Sequence, residues 1–214
     1  MGRYFFVIQC FLLFGSGFLS SVSAQQSKSF EGVICYRIIL DSTMQDIVAS
    51  TVSTFEITAK GEKYITSIFG NNVQIFENGL DSTILFTFRN LIDGNRYCMQ
   101  IAESEPNISP YTYTNQTREI LGYTAKKVVF YSEENEVMEI WVTEDIGINV
   151  NQYLHSGLKG TPLEFYLHYY GKYLKVEVQK ISREYILDEV FNFPPDCIYT
   201  TPEKLQRLLS EENE

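Results

Sequence analysis

A chain of 214 residues with 27 acidic and 17 basic side chains carries a formal net charge of −10 at pH 7. This excess of negative charge repels polyanions, so the composition excludes nucleic acid as a partner. With 44% hydrophobic residues, the chain is long enough to bury a core of its own without metals or disulfides.

The first 24 residues have the pattern of a secretory signal peptide. Arg3 precedes an apolar run over residues 4–19, and small residues lead to Ala24. Gln9 and several glycine and serine residues interrupt the run, which disfavours a retained membrane anchor. We therefore predict cleavage after Ala24 and a single mature domain, residues 25–214, that is periplasmic or secreted and does not span a membrane.

From residue 30 to residue 186, apolar and polar residues alternate with a period of two, which predicts a mainly β domain. Turns are predicted at Lys60-Gly61, Asn71-Asn72 and Asp93-Gly94-Asn95. The predicted strands occupy residues 30–40, 51–60, 62–69, 73–77, 82–89, 96–103, 117–122, 123–132, 136–145, 162–170 and 173–186.

Two further segments do not alternate. Residues 103–116 contain two prolines and many polar groups, and they predict a long surface connection between two parts of one sheet. Pro194-Pro195 is predicted to end the strands. Thr201 can then cap a helix whose first position suits Pro202, so we predict one short C-terminal helix.

Connections of two to five residues leave no room for crossover helices, so the sheet of about ten or eleven strands must be almost wholly antiparallel. So many strands favour a sheet that curls or splits into two packed layers. Four segments are apolar on both sides of the strand, which predicts a central region buried on both faces. They are residues 38–40, 84–86, 128–130 and 140–142.

After signal cleavage three cysteines remain, Cys35, Cys98 and Cys197. An odd number in an oxidising compartment allows at most one internal bridge, and spacing does not choose among the three pairings. Cys35 and Cys98 lie in predicted strands, where an unpaired cysteine is expected to be a small buried hydrophobic residue rather than a redox centre.

Five motifs in order along the chain carry a family resemblance. They are FEGVICYRI from Phe30, ILGYTAKKV from Ile120, EIWVTEDI from Glu139, LKGTPLEF from Leu158 and DEVFNFPPD from Asp188. In these motifs the sequence resembles exported envelope proteins of unknown function related to the GLPGLI family and, more distantly, to the lipoprotein-carrier (LolA-like) fold. The resemblance implies a curved antiparallel sheet, a half-open barrel with an apolar concave side. It implies no catalytic residue.

Motifs for catalysis and for metal binding are missing from the sequence. His155 and His168 are the only histidines, and neither belongs to a short ligand spacing. There is no nucleophile elbow, zinc-protease motif or phosphate loop. We therefore predict no enzyme, cofactor or metal, and a hydrolase would require one of these histidines beside a nucleophile and an acid. The acidic pairs Glu144-Asp145 and Asp188-Glu189 are expected to be solvated at strand ends.

The densest aromatic stretch runs from Leu163 to Tyr173, with Tyr166, His168 and Tyr170 on one side of the predicted strand. Tyrosine rows can grip ligands, but cross-strand aromatic pairing in a hairpin is the favoured interpretation. The residues predicted to contact a ligand are Phe86, Phe130, Trp141, Tyr166, His168 and Tyr170.

These patterns together predict an exported, non-enzymatic binding module for a hydrophobic molecule, such as a lipid or the acyl chains of a lipoprotein. The two-sided apolar strands and the carrier-like resemblance motivate this prediction. The alternative is a structural or protein-interaction domain without a ligand cavity, whose second apolar face is closed by other strands or by the terminal helix.

Overall fold

The computed structural model describes residues 29–39, 54–68, 71–78, 83–90, 93–101, 111–131, 137–148, 158–169 and 172–204. The predicted signal peptide, His155, Tyr170 and most of the predicted terminal helix lie outside this part of the chain.

Twelve strands form the fold of the described residues, together with a short 3₁₀ helix at Asp188–Phe191. The strands are β1 (Glu31–Ile39), β2 (Thr54–Lys60), β3 (Lys63–Ile68), β4 (Val73–Asn78), β5 (Thr83–Arg89), β6 (Arg96–Ile101), β7 (Thr112–Ile120), β8 (Tyr123–Tyr131), β9 (Val137–Thr143), β10 (Thr161–Tyr169), β11 (Lys172–Arg183) and β12 (Cys197–Tyr199).

All twelve strands belong to one sheet, in the order β12-β6-β5-β4-β3-β2-β1-β11-β10-β9-β8-β7. Two meanders, β1 to β6 and β7 to β11, are joined where β1 pairs with β11. Every neighbouring pair is antiparallel except β12 with β6, which is parallel. The predicted mainly β, antiparallel architecture is confirmed, and the number of strands is higher than the ten or eleven predicted.

Two strands differ from the prediction. β12 follows Pro194-Pro195, where the strands were predicted to end, and β7 begins at Thr112, inside the predicted connection 103–116. β7 is an edge strand whose side chains are mostly exposed, so its sequence has no apolar row to mark it. β12 has only three residues and continues the sheet from a partner strand that lies far from it in the sequence.

The predicted turns are confirmed. Gly61, Asn71 and Gly94 have φ angles of 62°, 71° and 73°, the left-handed conformation that glycine and asparagine tolerate best. At the C-terminus, the backbone N–H of Lys204 donates to Oγ1 of Thr201 at 3.4 Å, and residues 202–204 are helical. Thr201 therefore begins a helix with the cap predicted for it.

One side of the sheet, which we call the apolar face, carries Ile34, Tyr36 and Ile38 of β1 and is buried across both meanders. Residues directly opposite each other in an antiparallel pair point to the same face, so the register extends this face from strand to strand. Paired residues on it include Tyr36 with Phe55, Ile75 with Phe86, Val128 with Ile140, and Phe165 with Val176. The other side is called the opposite face below.

The main core lies where the apolar faces of β2, β1 and β10 meet. Tyr36 stacks on Phe55 with ring centroids 4.9 Å apart, and Phe165 approaches Tyr36 at 5.6 Å and Phe55 at 6.5 Å. The Tyr36 hydroxyl donates to the Pro162 carbonyl at 2.9 Å, which satisfies its only polar group. In a flat sheet, β2 and β10 would be about 14 Å apart, because β1 and β11 lie between them. The ring centroids of Phe55 on β2 and Phe165 on β10 are closer to each other than that, at 6.5 Å.

Candidate functional site

The residues predicted to contact a ligand are divided between the two faces. Phe86 on β5 and Phe130 on β8 are buried on the apolar face, with seven strands between them in the sheet order. Trp141 on β9 and Tyr166 on β10 are half-buried on the opposite face. His168 pairs with Tyr173 in the β10–β11 register. The four residues on the two faces therefore cannot line a single surface, and their contact with a ligand stays a prediction.

Burial on both faces is confirmed for one of the segments where it was predicted and is only partial for another. On β5, all five residues from Ile84 to Phe88 are buried. On β8, Val128 and Phe130 are buried, but Val129 on the opposite face is half-buried, and the next residue on that face, Tyr131, is 58% exposed. The difference arises from what covers the opposite face in each half of the sheet.

Across β3 to β6, the opposite face is covered by the C-terminal segment 184–200, which we call the strap. Beneath the strap lie Ile65, Phe76, Leu85 and Cys98, which are all buried, and Phe191 packs against this cluster. The ring of Phe193 meets that of Phe76 edge-on, with centroids 5.9 Å apart. The strap thus gives these strands a second buried face.

Polar contacts fix the first part of the strap to β1 and β2. The backbone N–H of Ile186 donates to Oε1 of Glu31 at 2.8 Å. The Lys60 ammonium donates to the Ile186 carbonyl at 2.8 Å and forms an ion pair with Asp188 at 3.2 Å. Lys60 also lies over the ring of Tyr185, 5.0 Å from its centroid. Lys60 therefore joins three points of the strap to the end of β2.

A disulfide fixes the other end of the strap to β6. Cys98 and Cys197 are bonded with their Cα atoms 5.5 Å apart, which decides among the three pairings left open by the sequence. Next to it, Asp196 forms ion pairs with Arg96 at 3.4 Å and Arg89 at 3.7 Å. Cys98 was expected to be a small buried hydrophobic residue if unpaired. It is fully buried, but it is a cross-link.

Cys35 is the free thiol of the described residues. Burial and a hydrogen bond of 3.4 Å from its Sγ to Oε1 of Glu56 raise the pKa of the Cys35 thiol to about 11. The thiol is therefore protonated at neutral pH and is a poor nucleophile. This environment favours the non-redox interpretation of Cys35.

Across β7 to β11 and β1, the opposite face carries alternating charges, and no segment among the described residues covers it. The guanidinium of Arg118 lies over the ring of Trp141, 4.1 Å from its centroid, and forms an ion pair with Glu164. Lys175 continues the row, 3.4 Å from Glu164 and 2.6 Å from Glu177. The Lys175–Glu177 hydrogen bond raises the pKa of Lys175 and lowers that of Glu177. Arg118 therefore contributes to the partial burial of Trp141, which also packs against the main core.

A carboxyl group lies on the apolar face, and sequence reasoning missed it. Glu77 on β4 follows Val73 and Ile75 in the same row and is only 6% exposed. Its Oε2 atom has no hydrogen-bond partner among the described residues, and burial raises the pKa of Glu77 well above its ordinary value. The signal was present in the sequence, because Glu77 falls two residues after Ile75 in the alternation.

The exposed side chains of the strap are mostly apolar or acidic. Its exposed large hydrophobic residues include Tyr185, Leu187, Val190, Ile198 and Tyr199, and Phe193 is 42% exposed although its ring contacts Phe76. The sequence of the strap contains four acidic residues and no lysine or arginine. The paired acids Asp188 and Glu189, predicted to be solvated, are exposed on it.

Within the described ranges, no group of three His, Cys, Asp or Glu side chains is arranged to hold a metal ion. The same part of the chain contains no helix that is long and apolar enough to cross a membrane.

No protein-family profile matches the chain, and comparison with curated protein sequences gives no match. Among solved structures, the fold is similar to that of PNGF-II in two crystal forms, with TM-scores of 0.56 and 0.59 over 84% and 86% of this chain. The identity is 15% in both cases, so the likeness concerns the fold alone. The chain spans about a third of the length of PNGF-II, since it covers 32% and 34% of that chain.

A weaker likeness is found to an uncharacterized conserved protein from Thermus thermophilus. The two align over 82% of this chain and 93% of the other, with 12% identity and a TM-score of 0.37, which is too low to support an argument. The comparison with PNGF-II thus shows that most of this chain is similar in fold to one part of that larger protein.

Proposed function

We propose that this protein is an exported, non-enzymatic binding module that holds an apolar molecule, such as a lipid or the acyl chains of a lipoprotein, against its apolar face. The observation that carries the proposal is the continuity of that face across both meanders, from Phe86 on β5 to Phe130 on β8. An apolar face of this extent can offer contact along the whole length of an acyl chain.

The proposed shape is a half-open barrel with the apolar face on its concave side. The approach of Phe55 to Phe165 at 6.5 Å supports this shape, because their strands would be about 14 Å apart in a flat sheet. The sheet order begins with β12 and ends with β7, and these two edge strands are not paired with each other. The gap between them can widen without breaking a ladder of hydrogen bonds.

Binding would exchange one set of apolar contacts for another. The residues of the apolar face pack against one another, so an acyl chain would separate side chains such as Phe130 and Ile140 and take their place. Each methylene removed from water contributes roughly 0.8 kcal/mol, which can offset the separation of a few side chains. Long chains are therefore expected to bind more tightly than short ones.

Photo-crosslinking tests this proposal without altering the core. A fatty acid with a diazirine near the end of its chain would be bound, irradiated and located by mass spectrometry after proteolysis. We expect saturable labelling on the apolar face of the central strands, competed by unlabelled fatty acid. No saturable binding, or labelling confined to the strap and the opposite face, would refute the proposal.

A protein-interaction domain is the second candidate function, and the exposed apolar side chains of the strap favour it. Tyr185, Leu187 and Tyr199 are each more than half exposed, and the strap contains no basic residue. A protein partner with an apolar surface rimmed by lysine or arginine would complement this segment. A photoreactive residue at Leu187 should then crosslink to one protein in the native cell envelope, whereas the same residue at exposed Glu62 should not. Equal crosslinking at both positions would count against this candidate.

A further inference from the structure

We propose that Glu77 recognises the polar end of the bound molecule, exchanging hydrogen bonds with an uncharged, oxygen-bearing head group such as a hydroxyl or an ester carbonyl. This inference rests on the proposed function, since it names the class of amphiphile that the apolar face would take. It is carried by the position of one carboxyl group.

Glu77 is the only acidic or basic residue among the buried side chains of the described residues. Its register partners on the apolar face are Tyr64 on β3 and Ile84 on β5, and neither is a cation. Oε2 of Glu77 is buried without a hydrogen-bond partner within the described ranges. Buried polar groups in folded proteins are almost always paired, so an unpaired carboxyl oxygen in an apolar face indicates a role beyond stability.

The position of Glu77 suits the head group of a chain-shaped molecule. Glu77 is the residue before last in β4, Tyr64 is the second residue of β3, and Ile84 is the second residue of β5. The carboxyl group therefore lies near one end of the strands, and Ile75 and Val73 continue the same row toward the other end. A molecule whose polar end meets Glu77 can extend its hydrocarbon part along this row.

The chemistry of a buried carboxyl selects an uncharged head group. Burial raises the pKa of Glu77, so the group is protonated over a wider pH range and presents an O–H donor and a carbonyl acceptor. An alcohol or an ester can use one or both of these. An alkylammonium head group would require Glu77 to be ionised, and both charges would lose their contact with water. A carboxylate head group would find no cation to pair with, since the register partners of Glu77 are Tyr64 and Ile84.

Matched twelve-carbon ligands test this assignment. Dodecanol, dodecanoate and dodecylammonium would each displace the fluorescent probe N-phenyl-1-naphthylamine from the wild type, from Glu77→Leu and from Glu77→Gln. The wild type is expected to bind dodecanol about tenfold more tightly than dodecylammonium, the factor that one hydrogen bond of ordinary strength can supply. Glu77→Gln keeps a donor and an acceptor and should keep this preference.

Glu77→Leu should still bind the probe but lose the preference for dodecanol, because it removes the polar group and keeps the apolar volume. A preference that survives in Glu77→Leu, or a wild type that binds dodecylammonium best, would overturn the assignment while leaving the binding module intact. Two other outcomes would overturn the proposed function and this inference with it. In one, the wild type does not bind the probe; in the other, it binds the probe saturably but none of the three ligands displaces it.

Discussion

The two halves of the sheet share one apolar face and differ on the other. Across β3 to β6, the opposite face is buried beneath the strap, with Phe76, Leu85 and Cys98 in its centre. Across β7 to β11, the same side carries the ion pairs of Arg118, Glu164 and Lys175 and remains half exposed. One sheet thus combines a segment covered on both sides with a segment covered on one.

The two halves also differ in what stabilises the opposite face. In the covered half, a distant segment is held by a disulfide and excludes water from apolar side chains, which contributes to the free energy of unfolding. In the exposed half, long charged side chains lie across their neighbours, and such surface pairs contribute little each. Substitutions beneath the strap should therefore lower the free energy of unfolding strongly, and substitutions in the charged row should lower it only a little.

The largest effect on the free energy of unfolding is expected from removing the Cys98–Cys197 disulfide, which fixes the strap to β6. Cys98 and Cys197 are 99 residues apart, so their bond closes a long loop and restricts the unfolded chain. The double variant Cys98→Ala with Cys197→Ala should lose about 4 kcal/mol in the free energy of unfolding, measured by urea denaturation. The control Cys35→Ala, which removes the free thiol, should lose less than about 1 kcal/mol. Equal losses in the two variants would contradict the role given to the strap.

A truncation beneath the strap is expected to follow in size. Phe76→Ala leaves a cavity against Phe193 and should cost about 3 kcal/mol, again measured by urea denaturation. The matched variant Tyr131→Ala removes an aromatic ring from the same face of β8, where the side chain is 58% exposed. Its cost should stay below about 1 kcal/mol. If Tyr131→Ala costs as much as Phe76→Ala, the two halves are equally buried and the comparison fails.

A pH-dependent effect is expected at Glu77, on the apolar face of the covered half. Burial raises the pKa of Glu77 in the folded state, so protonated Glu77 stabilises the fold relative to the unfolded chain. This contribution to the free energy of unfolding is fully present below pH 4.5 and is lost as the pH rises toward the pKa of the folded state. Glu77→Gln removes this loss. Relative to the wild type, its free energy of unfolding should gain about 1.4 kcal/mol per pH unit above 4.5, until the pKa of the folded state is passed.

Thermal or urea unfolding at about pH 5, 6 and 7 measures this difference, since these values lie above the ordinary pKa of a glutamate. The control Glu62→Gln replaces an exposed carboxyl group on the neighbouring turn and should show no comparable trend. A constant difference between Glu77→Gln and the wild type at all three pH values would mean that Glu77 is solvated in the folded protein.

Much of the fold is predictable because strand alternation and turn chemistry are local. The turns at Gly61, Asn71 and Gly94 require a left-handed conformation, and short connections leave only antiparallel pairing. The polar edge strand β7 is harder to predict, since both of its sides contact solvent and no apolar row marks it. β12 depends on a cross-link between Cys98 and Cys197, which no local pattern encodes.

The sites were predictable only in part, because alternation assigns a residue to a face but does not say what covers that face. Leu85 and Trp141 have the same two-sided apolar context in the sequence. Leu85 is buried beneath the strap, whereas Trp141 stays half-buried, with the guanidinium of Arg118 from β7 over its ring. Glu77 could have been found from its place in the apolar row of β4, had polar residues in such rows been considered as well.

The smallest effect is expected at Arg118, and Trp141 reports it directly because it is the only tryptophan in the chain. Arg118→Ala should shift the emission of Trp141 to longer wavelength, since water replaces the guanidinium over the ring, while the free energy of unfolding falls by less than about 1 kcal/mol. The control Arg37→Ala removes the charge that pairs with Glu177 at the far end of the row and should leave the emission unchanged. An unchanged spectrum in Arg118→Ala would mean that another group covers Trp141, and the exposed half would then resemble the half beneath the strap.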